Sequence, residues 1–259
     1  MNVNDMYFED FRFGDKKLSD FGGIIYNEDG WFISNGLTSA KTTTKLSNRD
    51  GELFLSSTYN PRTITIPIFL QRNIDLDEFF AWLLNGEQEL EFVNSGRKIN
   101  VILDNQIDIR NYYDGVYKGL STLSFIAYDP YWKNIVDTYT IKQPPRVNQT
   151  VSFRIEGNTI CYPKINLQPT TVGKVKFEIN GMIVTLDITN SLVNKNITID
   201  CEREDVYGVT GTSEENLFQI YSSNDYYEFP TLNPFVDNTF TLQSGNASVV
   251  KIYHNDRWI

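Results

Sequence analysis

The feature that most restricts the fold is a two-residue alternation of apolar and polar side chains that recurs along nearly the whole chain. Residues 62–70 read Arg-Thr-Ile-Thr-Ile-Pro-Ile-Phe-Leu. This sets Ile64, Ile66, Ile68 and Leu70 on one face, because successive strand side chains point to opposite sides. Pro67 cannot donate to a ladder, so this strand is expected at a sheet edge or with a bulge at that point. The same period runs through Ile99, Val101 and Leu103, through Leu123, Phe125 and Ala127, and through Val151, Phe153 and Ile155. Val175, Phe177 and Ile179 lead through Asn180-Gly181 into Ile183, Val184, Leu186 and Ile188. Asn-Gly between alternating runs is the strongest short hairpin signal. Further short strands at 197–200, 240–242 and 249–253 have the spacing of an antiparallel sandwich. Aromatic residues make up 14% of the chain, which favours pleated sheet over helix.

A single segment reads as helix. Asp75 stands as N-cap with Glu78 three residues on, the apolar positions are Leu76, Phe79, Phe80, Leu83 and Leu84, and Asn85-Gly86 stops it. The stretch around Asn48-Arg49-Asp50-Gly51 reads as a loop with an exposed tip. Residues 107–117 mix apolar, aromatic and charged side chains around Asp114-Gly115, the pattern of a projecting hairpin or of an ordinary surface one. Residues 133–149, with Pro144-Pro145, read as a linker, and 208–226 as a long polar loop. The chain is thus expected to be mainly β, with an N-terminal domain over 1–139 carrying one short helix and a projecting hairpin, and a C-terminal β-sandwich over 140–259.

Charge and composition exclude several functions. With 33 acidic and 23 basic residues the net charge is −10, the wrong sign for phosphate recognition, so no stable nucleic-acid partner is expected. A negative surface would let DNA slide past without sticking. There is no apolar run of 18 residues, and Met1-Asn2-Val3-Asn4-Asp5 lacks the basic and apolar regions of a signal peptide. The chain is therefore expected to be made in a cytoplasm, where Cys161 and Cys201 are buried free thiols rather than a bridge.

Reactive constellations are scarce. His254 is the sole histidine, so any Ser-His-Asp or Cys-His device must use it, and its bland reading is a surface or satisfied core residue. No metal-ligand spacing, nucleophile elbow or phosphate-cradling loop occurs, so no catalytic, metal or cofactor residues are expected. Carboxylates such as Asp104, Asp108, Glu202 and Glu204 would suffice for a glycosidase only if paired across a cleft, and in an acidic chain they read as solvated charge.

Taken in order, a set of short motifs resembles the distal tail (Dit) protein family of long-tailed, siphovirus-type bacteriophages and prophages. The first half has Phe13-Gly14, Ser19-Asp20-Phe21-Gly22, Arg49-Asp50-Gly51, Arg62 heading its strand, and Asp129-Pro130-Tyr131. The second has Gly157-Asn158 ahead of Pro163, Ile197-Thr198-Ile199-Asp200, Phe229-Pro230-Thr231-Leu232 and Trp258. After Leu232 the family often continues with Gly and Asn, whereas Asn233-Pro234-Phe235 stands here.

The resemblance implies a virion structural protein at the tail tip, assembled in the host cytoplasm. Its N-terminal domains would form a hexameric ring around a DNA channel, aided by a protruding hairpin. The C-terminal domain would be galectin-like or carbohydrate-module-like, and the last residues, with Trp258, would return to the first domain. Implied partners are copies of itself, the tail tube protein, the tail-associated fibre or lysin protein, and receptor-binding proteins. The hairpin candidates are Ile107, Ile109, Tyr112, Tyr113, Val116 and Tyr117. The alternative is a carbohydrate-binding module for host cell-wall saccharide, with Tyr207 and Tyr221 near loops and Tyr226 and Tyr227 as the candidate contacts.

Overall fold

The computed structural model describes residues 10–26, 34–45, 50–71, 74–107, 117–141, 146–210, 213–224 and 227–259. They divide into two compact units, residues 1–135 with Ile259, and 136–258.

The first unit carries strands β1 (Phe11–Phe13), β2 (Lys16–Lys17), β3 (Gly23–Ile25), β4 (Ser34–Gly36), β5 (Ser39–Lys45), β6 (Glu52–Tyr59), β7 (Arg62–Gln71), β8 (Gln88–Phe92), β9 (Arg97–Leu103), β10 (Tyr117–Ala127) and β11 (Trp132–Asn134), with one α-helix, α1 (Leu76–Leu83). Its main sheet runs β2-β1-β8-β9-β10-β7-β3, with β4 also on β7 and β11 also on β9. The inward row of β7 is as the alternation requires, since Ile64, Ile66, Ile68 and Leu70 have no exposed surface.

Pro67 departs from expectation. β7 is an inner strand, with β10 along one side and β3 and β4 along the other. On that second side β3 covers Ile68–Leu70 and β4 covers Thr63–Thr65. Pro67 falls between them, where neither short strand pairs and a missing N–H is tolerated.

Asp75 caps α1 by accepting from Asp77 N (3.0 Å) and Glu78 N (3.2 Å). The Glu78 carboxylate pairs with Lys16 Nζ at 2.6 Å. The buried stripe is Phe79, Trp82 and Leu83, not one including Leu84, which is 70% exposed. Trp82 wins the core position because its neighbours are rings. It stacks on Phe11 (5.9 Å) and Phe21 (4.8 Å), meets Phe13 edge-on (6.0 Å), and donates Nε1–H to Phe13 O at 2.7 Å.

The second unit is a sandwich of two antiparallel sheets. One is built from β12 (Thr138–Ile141), β14 (Lys164–Pro169), β17 (Ile197–Asp200), β18 (Asp205–Thr210), β19 (Ser213–Asn216) and β22 (Ala247–His254), in the order β12-β22-β14-β17-β18-β19. The other comprises β13 (Thr150–Phe153), β15 (Gly173–Ile179), β16 (Met182–Ile188), β20 (Tyr221–Ser223) and β21 (Asn238–Ser244), in the order β13-β21-β15-β16-β20. Ile165, Leu167, Ile197, Ile199 and Ile252 of the first sheet join Val175, Phe177, Val184, Leu186 and Phe240 of the second in one core.

The Asn180-Gly181 turn is as read: Ile179 pairs with Met182, and both turn residues have positive φ (50° and 89°), the twist that two-residue hairpins demand. Gly157 answers a different need, because a Cβ there would lie 2.6 Å from Arg257 O. Two loop expectations are corrected. The stretch read as a linker contains the end of β11 and all of β12, while Pro144-Pro145 lies outside the described residues. The stretch 208–226 holds the end of β18 and then β19 and β20. It is polar because β19 is an edge strand with all four residues exposed.

Trp82→Phe should lower stability by roughly 0.5–1.5 kcal/mol, the net worth of the lost indole hydrogen bond to the Phe13 carbonyl. Guanidinium unfolding of wild type and variant, followed by tryptophan fluorescence and circular dichroism, measures it.

Candidate assembly surfaces

Three places combine unusual exposure or unusual chemistry. The first is a polar cluster inside the second unit. Cys161 forms an isolated bridge with Leu232, and His254 ends β22 with Asp256 two residues on. Their potential ligand atoms lie within 4.8 Å of one another, and all three residues are buried. His254 Nδ1 and Asp256 Oδ1 are 2.8 Å apart, Asp256 Oδ2 accepts from Glu156 N (3.0 Å), and Cys161 Sγ donates to Asn255 O (3.1 Å). The order thiol, imidazole, carboxylate is that of a nucleophilic device, but the electrostatics oppose one. Burial, with the Asp256 charge adding to it, pushes the Cys161 thiol up to about 12, whereas a nucleophilic thiol needs a lowered pKa. Cys201 is likewise buried, free and driven upward by burial. The lone histidine is thus a partnered core residue.

The second place is the ribbon formed by β5 and β6, which among the described residues pair only with each other. Every described residue of both strands is exposed. Leu53, Phe54 and Leu55 stand 47%, 56% and 55% exposed. Because they are consecutive, apolar side chains occupy both faces. Thr42 pairs with Ser56 and Thr43 with Phe54, so Leu55 is the extra residue of a bulge. The base is clamped where Asn60 N donates to Thr38 O (2.9 Å) and Asn60 Nδ2 to Thr38 Oγ1 (3.1 Å). Strands of seven and eight residues reach about 25 Å.

The sequence reading expected only a loop with an exposed tip here and put the projecting hairpin at 107–117. Of those candidates, Ile107 is described and half-buried, and Tyr117 opens β10 opposite Gln71. Ile109, Tyr112, Tyr113 and Val116 lie outside the described residues. The ribbon was missed because Ser-Ala-Lys-Thr-Thr-Thr-Lys has no apolar alternation to find. Its threonines, which favour strands, were the available signal.

The third place is aromatic. Tyr207 and Tyr221, read as loop tyrosines, are core residues, 8% and 2% exposed. Tyr221 donates its hydroxyl to Glu228 O at 2.6 Å, and the Arg203 guanidinium lies 5.5 Å from the Tyr207 ring. They are buried because β18 and β20 replace the expected loop. Tyr226 lies outside the described residues, whereas Tyr227 is 58% exposed. Among the carboxylates, Asp104, Glu202 and Glu204 are exposed, and Asp108 is not described.

The architecture is that of the hub and baseplate proteins of phage tails. The agreement spans the whole chain in the Dit protein of phage SPP1, described as a paradigm of the hub adsorption apparatus in phages infecting Gram-positive hosts: TM-score 0.72 and 11% identity, over 98% of this chain and 100% of that one. Two structures of the phage P2 baseplate in its activated conformation, with Ca and with Sr, give TM-scores of 0.53 and 0.52 at 12% identity, over 97% and 96% of this chain. No protein-family profile and no curated protein matches the sequence.

The Cys161 thiol generates a pH prediction. Its folded pKa lies above the unfolded value of about 8.5, so its contribution is complete below that pH and is lost as pH rises toward about 12. Melting temperature should therefore fall between those limits, and less steeply in Cys161→Ser. A thiol reagent should titrate neither cysteine in the folded protein and both in guanidinium.

Proposed function

We propose that the chain is a structural subunit of a phage tail tip. It closes with copies of itself into a six-membered ring that joins the tail tube to the baseplate or adhesion device and leaves a channel for DNA. The observation that carries this reading is the β5–β6 ribbon. A two-stranded hairpin on its own is marginally stable in water, its two open edges offer unpaired backbone groups, and a cluster of exposed apolar side chains marks an interaction site. An arm of this kind is completed by a neighbour. A ring of identical subunits needs a heterologous contact whose rotation closes, and a projecting arm meeting a different surface of the next copy supplies one.

The net charge of −10 suits the wall of such a channel, because DNA gains no counterion release by binding it. The likeness to hub and baseplate structures supports the same reading. Residues 107–117 are proposed as a second contact between copies. The remaining partners are the tail tube protein, the fibre or lysin protein and receptor-binding proteins. The role is non-enzymatic, since the one thiol, imidazole and carboxylate cluster is shut from solvent with its thiol held protonated.

Mass photometry and negative-stain microscopy test the ring. Hexameric rings are expected from the purified chain, or after addition of its tail tube partner. The variant Leu53→Ser, Phe54→Ser, Leu55→Ser should keep the wild-type circular dichroism and melting temperature but stay monomeric. A wild-type chain that remains monomeric with its tube partner, or a variant that still closes, would overturn the reading.

A further inference from the structure

The chain contains three Asn-Gly pairs, at 35–36, 85–86 and 180–181. In this dipeptide a carboxamide is open to attack by its own backbone, because glycine has no side chain to shield the following nitrogen. The folded chain treats the three differently. Asn35 and Gly36 lie in β4, opposite Ile64 and Thr63 of β7, and a paired strand holds its backbone extended. Asn85 and Asn180 are both exposed, so exposure does not separate them. Hydrogen bonding does.

Asn180 is saturated. Its Nδ2 donates to Asn238 Oδ1 (2.8 Å) and to Thr231 O (2.9 Å), its Oδ1 accepts from Thr239 N (2.9 Å), and its backbone N–H donates to Thr239 O (3.2 Å). Asn238, the anchor, has no exposed surface; it accepts from Asn233 N (2.8 Å) and donates to Asn233 O (3.0 Å). Turning the Asn180 carboxamide onto the Gly181 nitrogen would break every side-chain bond it makes. Asn85 stands just past the end of α1 at Leu83. Its carbonyl accepts from Gln88 Nε2 (3.0 Å). Among the described residues, however, no hydrogen bond reaches its carboxamide or the Gly86 N–H. Gly86 has φ 73°, with nothing within 4 Å of where a Cβ would stand. Nothing there opposes the rotation.

We propose that Asn85 is a deamidation site of the folded protein and that Asn180, followed by the same residue, is locked against the reaction. The Gly86 nitrogen gives up its proton and bonds to Asn85 Cγ. The Cγ–Nδ2 bond breaks, and Nδ2 leaves as ammonia with that proton. Water then opens the cyclic imide at either carbonyl, giving aspartate or isoaspartate, and nothing is oxidised or reduced. The new carboxylate lands at the C-terminal end of α1, where the last carbonyls already carry partial negative charge. Isoaspartate also inserts a methylene into the main chain between α1 and β8. At residue 180 the product would set a carboxylate against the acceptors Asn238 Oδ1 and Thr231 O, so the lock guards the turn that the reaction would damage. The inference stands independently of ring closure.

Peptide mapping by mass spectrometry tests the proposal on the full chain held in mildly alkaline buffer and sampled over weeks, with isoaspartate read by its methyltransferase. In the folded chain, acid should accumulate at residue 85 at least about tenfold faster than at residue 180, where reaction waits on local opening. In guanidinium the two rates should agree within about threefold, since no opening step then remains. Asn180→Asp should lower the melting temperature by at least about 4 °C, because it faces a charge with acceptors. Asn85→Asp should shift it by less than about 3 °C. Equal rates at the two residues in the folded chain, or a residue 85 that stays intact, would refute the proposal. An Asn180→Asp variant that melts with the wild type would remove the lock.

Discussion

The packing of the first unit turns on Trp82. This one side chain, brought by the single described α-helix, stacks on Phe11 and Phe21, meets Phe13 edge-on and donates to the Phe13 carbonyl. It thereby joins β1 and the 3₁₀ turn Leu18–Phe21 to the helix in one aromatic block. A sheet whose inner row is as apolar as that of β7 must be covered, and with so little helix available the cover has to be wide and flat. An indole and several phenyl rings meet that demand with few residues. The consequence is a stiff platform on which a ribbon can stand away from its own core.

The second unit reaches stability by another route, two sheets face to face with Val, Ile and Leu between them. Two of its buried polar groups are fully partnered. Asp200 receives Lys164 Nζ at 2.9 Å and Arg203 N at 3.2 Å, and Asn238 is saturated by Asn180, Asn233 and Val236. Each holds a loop in place instead of adding to the apolar core. Buried carboxamides and carboxylates that are fully partnered specify one geometry, and here the geometry they specify belongs to the loops.

Much of the fold was legible because the side-chain period reports burial directly. Ile64 through Leu70, the Asn180-Gly181 hairpin and the Asp75 cap could be read from residue order, since each is a local rule. What escaped was set by tertiary context. Trp82 displaced Leu84 from the helix stripe because the core it faces is aromatic. Pro67 proved tolerable inside a sheet because two short strands share one side of β7. The ribbon was invisible to a search for alternation, since a hairpin with no buried face has no reason to alternate. The aromatic end was half visible: Tyr227 could be picked out, but Tyr207 and Tyr221 could not be told from it until strands replaced the supposed loop. The left-handed backbone of Tyr227 and Phe235 has no signature in composition at all.

The nakedness of both ribbon edges has a bearing on how such a protein can be kept. A pair of strands with open backbone on each side is satisfied by whichever extended segment arrives first, including the wrong edge of another copy. Held at high concentration, the chain is exposed to disordered stacking of this kind. The bulge at Leu55 and the lysines at 41 and 45 are placed to slow it.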